Sequence, residues 1–172
     1  MRFLAIVLML VVAAVVYGVL HDQVTVRISL EYFTIGHASL FATRNPTWLA
    51  CLWGLVATWW VGVLLGVPLA AAARWRRWPR REPHSLVRPL LILMGCAALL
   101  AIAAGLVGHL AASRGWVYLV GPLAERVPGD RHVGFLTAVW AHTTSYLVGL
   151  VGGTTIIVAV LWGRWSAARR ES

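Results

Sequence analysis

Four long runs without a charged side chain constrain this chain more than anything else in it. Residues 3–20, 48–73, 89–112 and 133–163 contain no Asp, Glu, Lys or Arg. Each reaches the ~18 to 20 apolar residues that carry a helix across a hydrocarbon layer ~30 Å thick. Lipid offers no partner for backbone N–H and C=O groups, so a spanning run must satisfy them within itself, as a helix does. A soluble domain would carry about a quarter charged residues; here 12% are charged, 60% are hydrophobic and the mean hydropathy is +0.77. With 172 residues the chain has room for one domain. The expectation is therefore all-α: an integral membrane four-helix bundle, residues 1–172, with an extended polar loop covering its outer end.

The last run is longer than spanning requires. Trp140 and Trp162 are spaced for two interfacial belts, since 22 residues at 1.5 Å rise give ~33 Å, which places the fourth span at residues 138–163. The first run follows a single Arg2 and has the charged start and apolar centre of a signal peptide. No small-x-small cleavage pattern separates it from His21, so a retained helix is the preferred reading and cleavage the alternative. The spans then fall at 3–20, 48–73, 89–112 and 138–163, with outer loops at 21–47 and 113–137 and a loop at 74–88 between the second and third. Asn45, Pro46 and Thr47 read as the cap and first turn of the second span.

Orientation follows from the arginines, which are the only basic side chains besides histidine. Ten of the fifteen lie at the two termini or in the 74–88 loop. That excess marks the cytoplasmic side of a bacterial inner membrane and puts both termini there. Arg74, Arg76, Arg77, Arg80, Arg81 and Arg88, interleaved with Trp75 and Trp78, form a lipid-facing basic patch. A net charge of +9 in a soluble protein would suggest nucleic acid. Beside apolar spans it selects a bilayer with anionic headgroups instead, and no nucleic acid is expected.

Small side chains recur every four residues in the second span, at Ala50, Gly54, Thr58, Gly62, Gly66 and Ala70. Such a ridge lets helices approach closely where lipid removes the hydrophobic drive to associate. Ser145, Gly149 and Gly153 supply a second ridge in the fourth span, and Ala97, Ala101, Gly105 and His109 one in the third. Either a second copy of the chain or a membrane partner could use the Gly54, Gly62 and Gly66 ridge. Cys51 and Cys96 fall at opposite depths, too far apart for the ~5.5 Å Cα separation of a disulfide.

Residues 21–37 form the longest polar passage. From Val24 to Tyr32 apolar and polar residues alternate, which predicts an extended segment over the bundle mouth. A helix is the competing reading, with Arg27 and Glu31 paired four residues apart. Five of the six histidines and four of the six acids fall on the outer side, and no carboxylate falls inside a span, which argues against a proton-coupled exchanger. His21, Asp22, Glu31 and His37, with His109 or His142, are the candidate ligands of a transition metal, since imidazole and carboxylate together suit Zn, Fe or Cu. Haem held by His109 and His142 is the second cofactor candidate. Ser145 near His142 lacks the Gly-x-Ser-x-Gly elbow of a nucleophile. In the purely structural alternative, His142 bonds across helices and Asp22 or Glu31 pairs with Arg27.

His21-Asp-Gln-Val-Thr-x-Arg27 and Glu31-Tyr-Phe-Thr-Ile-Gly-His37 resemble a family of uncharacterised bacterial multi-pass membrane proteins. Trp59-Trp60-Val-Gly-x-Leu-Leu-Gly-Val-Pro68 and the stretch from Trp140-Ala-His142 to Gly153 look like the same family. The resemblance covers most of the chain; it implies a membrane protein with a defined polar stretch and assigns no chemistry. Two functional classes follow: a structural or accessory membrane protein, and an outward-facing metal-binding protein or metal-dependent enzyme.

Overall fold

The computed structural model describes residues 1–75 and 78–170, and these are helical with no strand among them. Helix α1 spans Arg2–Ile28, α2 Leu30–Thr34, α3 Pro46–Arg74, α4 Pro83–Ser113, α5 Pro122–Arg126 and α6 His132–Arg170, the last preceded by a 3-10 turn at Gly129–Arg131. Four of them, α1, α3, α4 and the segment ending in α6, are long and apolar enough to cross a membrane. They are apolar nearly all round, as lipid-facing helices are. Leu99, Leu106, Leu147, Val151 and Leu161 point away from the bundle. This is a four-helix membrane protein.

The helices form two close pairs, α1 with α3 and α4 with α6, which meet each other more loosely. Glycine makes the first pair possible. A Cβ on Gly62 would lie 2.5 Å from Val11 Cα, and one on Gly54 would lie 2.5 Å from the Val19 backbone nitrogen; Gly66 faces Val7 Cα at 3.2 Å. The ridge of α3 is therefore filled by α1 of the same chain and is not free for a second copy. In the second pair Gly108 lies against the Trp140 ring and Gly105 sits near Ala141. Gly153 meets the Leu65 side chain, but a Cβ on Gly149 would meet nothing within 4 Å, so Gly149 is not part of a packed ridge.

The elements outrun the expected spans at several ends. The segment expected to be extended from Val24 continues α1 as far as Ile28, and α2 follows after one residue. The competing helical reading holds, for a physical reason: Asp22, Thr25 and Val26 are buried. Backbone at that depth needs its helical bonds. Ser29 breaks the helix with extended backbone, and its Oγ accepts from Tyr32 N at 3.2 Å, capping α2. Arg27 does not pair with Glu31 or Asp22. It donates to Gln23 Oε1 at 2.8 Å and to Thr47 Oγ1 at 3.1 Å. Asn45 caps α3 by accepting from Thr47 N and Trp48 N, as the sequence led us to expect. Helix α4 begins at Pro83, six residues before the expected Pro89, because a proline is accommodated at the first turn of a helix. Cys51 and Cys96 are free thiols.

The start of α1 and the end of α6 lie at one end of the bundle with the connection between α3 and α4. Arg2 donates to Glu82 Oε1 at 2.6 Å, and Arg164 bonds to carbonyls of that connection. Glu31 sits at the opposite end, 3.8 Å from Arg131. Arg76 and Arg77 of the expected basic patch fall outside the described residues; Arg80, Arg81 and Arg88 are exposed, whereas Arg74 is partly enclosed and donates to Arg81 O. The Arg2 side chain is 64% exposed. Glu82→Gln should therefore cost about 0.5 kcal/mol or less, a melting shift near the detection limit in dilute buffer that vanishes in high salt.

Candidate metal centre

Asp22 is the carboxylate that the expected spans excluded from the membrane. Because α1 runs on to Ile28, Asp22 lies inside a spanning helix and is only 5% exposed. His21 and Asp22 sit ~10 Å before the end of α1, and His142 ~15 Å after the start of α6, so the antiparallel helices bring the three to a common depth. His142 Nε2 stands 3.1 Å from Asp22 Oδ1. The His21 and His142 rings meet edge-on with centroids 4.5 Å apart. One ligand atom from each of the three lies within 4.8 Å of the others.

The proton positions follow from the partners. His142 Nδ1 is 2.9 Å from Ala138 O, which can only accept, so Nδ1 carries the hydrogen. A neutral ring then has a lone pair on Nε2, and that lone pair faces a carboxylate oxygen. Two acceptors 3.1 Å apart require a proton or a cation between them. A histidine whose Nδ1–H is held by a backbone carbonyl is also the usual orientation of a metal ligand. Independently, His21 Nε2 is buried and has no hydrogen-bond partner among the described residues. A buried polar atom left unsatisfied costs on the order of 1 to 3 kcal/mol, which a bound cation would remove.

The other candidate ligands go elsewhere. His37 lies close by, lining the same cavity, but its Nδ1 donates to Tyr32 O at 2.8 Å and its ring packs on Trp53 with centroids 4.5 Å apart. Glu31 accepts from Ser29 Oγ at 3.2 Å and faces Arg131. His109 is exposed, with Nδ1 3.3 Å from Thr137 Oγ1. His109 and His142 thus engage different partners, and of the two only His142 lines the central cavity.

Several residues that the sequence did not single out enclose the site. Tyr17 stacks on His21 and exchanges a 2.8 Å hydrogen bond with Ser145. Tyr32 covers His142 with ring centroids 4.4 Å apart. Burial, and secondarily the nearby Tyr146 and Asp22, push the Tyr32 phenol above its usual range, so it stays protonated. The signal for Tyr17 was its position four residues before His21, one turn of helix away. Ending the first span at Leu20 hid it, because that boundary separated the two residues into different elements.

A centre of two imidazoles and one carboxylate offers three protein ligands and leaves coordination positions open, the pattern of sites that bind and polarise a further ligand. No known protein family matches this chain, nor does any curated protein or solved structure.

Proposed function

We propose that this is a bacterial inner-membrane metal-binding protein in which His21 Nε2, Asp22 Oδ1 and His142 Nε2 hold one divalent transition ion. The observation that carries this reading is the buried His21 Nε2, without a hydrogen-bond partner among the described residues, beside an Asp22 and His142 pair whose two facing acceptors need a proton or a cation between them. Imidazole and carboxylate suit Zn²⁺, Fe²⁺ or Cu²⁺, and the open positions would act as a Lewis acid toward an oxygen donor. In this reading the arginine-rich end, with Arg80, Arg81, Arg88 and the exposed Trp75, rests in anionic headgroups on the cytoplasmic side. The metal centre then opens toward the outer half of the membrane.

One contact also favours an accessory role without metal. A proton shared between His142 and Asp22 would tie α6 to α1 as polar glue. Elemental analysis of detergent-purified protein separates the two. One ion per chain is expected in the wild type and in His109→Ala and Glu31→Gln. Asp22→Asn and His142→Ala should fall close to zero, with helical circular dichroism retained. Substoichiometric metal that is the same in all five proteins would leave only the polar tie.

A further inference from the structure

An ion held by His21, Asp22 and His142 would carry a charge that this chain does not balance. Two neutral imidazoles and one carboxylate around a divalent ion leave one positive charge. Asp22 and His142 are only 5% and 7% exposed, and a buried charge without a partner is costly. The three ligands line a cavity bordered by all four long helices. Among the described residues Asp22 is the only carboxylate in its walls, and no arginine lines it. The missing negative charge must therefore come with a ligand. The cavity measures about 130 Å³, and at ~30 Å³ per water it has room for about four water-sized groups. A hydroxide would balance the charge but fill only about a quarter of that space. A carboxylate of formate or acetate size balances it, fills more of the cavity and can take two open positions of the ion at once.

A hydrogen-bond donor stands where such a ligand would lie. Tyr17 precedes His21 by four residues on α1, and Ser145 follows His142 by three on α6. These helices run antiparallel, so both hydroxyls sit about one turn, ~4.5 to 6 Å, further into the bundle than the proposed ligands. Their 2.8 Å hydrogen bond joins the same two helices as the Asp22 and His142 contact, and both side chains line the same cavity. The two hydroxyls share a single hydrogen bond, so one of their two hydrogens remains to donate to an incoming oxygen. A metal–oxygen bond of ~2.0 to 2.2 Å followed by an O–H···O bond of ~2.7 Å covers a step of that size. Resting on the metal reading above, we propose that the centre binds a short carboxylate of formate or acetate size, coordinated to the ion and accepting a hydrogen bond from the Tyr17 and Ser145 pair.

Titration of the cobalt-loaded, detergent-purified chain with acetate tests this, read in the visible absorption of Co²⁺. That band responds to ligands on the ion, so acetate bound elsewhere on a cationic protein leaves it unchanged. Acetamide serves as the same shape without charge, and benzoate as the same head on a body too large for the cavity. Acetate should shift the band with one-site saturation, and acetamide and benzoate should each bind about tenfold more weakly or worse. The Tyr17→Phe, Ser145→Ala double variant removes the donor, and should weaken acetate about tenfold while cobalt stays at one ion per chain. The comparison of the three ligands uses the wild type alone, so the test survives if the variant misfolds. With a full complement of cobalt, a band that ignores acetate, or acetamide or benzoate binding as tightly as acetate, overturns this inference and leaves the metal centre standing. A folded double variant that binds acetate as tightly as the wild type overturns the hydroxyl contact. A protein that takes no cobalt at all removes the metal centre first and this inference with it.

Discussion

Gly62→Leu should all but eliminate folded protein. A Cβ at Gly62 meets Val11 Cα at 2.5 Å and Leu10 O at 2.9 Å, and these are backbone atoms that cannot rotate aside. Helix α1 would have to move bodily away from α3. That movement would also open the contacts at Gly54 and Gly66 on either side and draw His21 and Asp22 away from His142. Overpacking commonly costs ~1 to 3 kcal/mol, and a backbone obstacle puts this variant at the upper end or beyond. Gly149→Ala should be nearly silent, because its Cβ enters empty space. Monodispersity on size exclusion and melting in detergent report both. A Gly62→Leu protein that melts within about two degrees of wild type would show that α1 and α3 do not pack as described.

Arg164→Ala should have the second-largest effect. Arg164 is 1% exposed and makes no ion pair among the described residues; its guanidinium instead collects backbone carbonyls. Nε donates to Pro79 O at 2.8 Å, Nη2 to Trp75 O at 2.6 Å and to Trp78 O at 3.2 Å, and Nη1 to Ala72 O. The Ala72 and Trp75 carbonyls belong to the end of α3, where the last turn of any helix leaves acceptors without intrahelical donors. Removing the guanidinium orphans the buried Ala72 carbonyl at ~1 to 3 kcal/mol and leaves the partly buried Trp75 carbonyl to water, so a loss of roughly 2 to 3 kcal/mol is expected. Arg164→Lys should recover only part of it. An ammonium is a compact donor and lacks the planar fork that spans several carbonyls. Thermal melting measures the loss, and faster proteolysis between α3 and α4 would locate it. Equal melting of the Ala and Lys variants would argue against the carbonyl clamp.

Much of the fold was legible in the chain, and the reasons are local. The charge-free runs, the Asn45 cap and the glycine spacing of α3 each depend on residues near in sequence, and the helices, cap and close approach are where those features put them. What misled was also local. Val24 to Tyr32 alternates like a strand, yet Thr25 and Val26 are buried against the bundle and the backbone stays helical. The pattern at Ser145, Gly149 and Gly153 is the same as that at Gly54, Thr58 and Gly62, but Gly54 and Gly62 lie against the backbone of α1 whereas a Cβ on Gly149 would meet nothing within 4 Å. Spacing specifies that a small residue is present; it does not specify whether a neighbour arrives.

The candidate site was legible only as a list of residue types. His21, Asp22, Glu31, His37, His109 and His142 all had ligand chemistry, and nothing in their spacing separated the three that converge from the three that do not. Arg164 was counted only as one more cytoplasmic charge, since a buried carbonyl clamp leaves no trace in composition.

The sequence by itself determined that this is a helical membrane protein, because the cost of burying bare backbone in lipid acts on every residue of an apolar run wherever its neighbours lie. Which polar groups meet was decided by the tertiary structure alone. Asp22 and His142 are separated by 120 positions, and only the antiparallel approach of α1 and α6 carries them to 3.1 Å. Contact between distant residues depends on how helices pair and at what depth, and that is a property of the whole bundle.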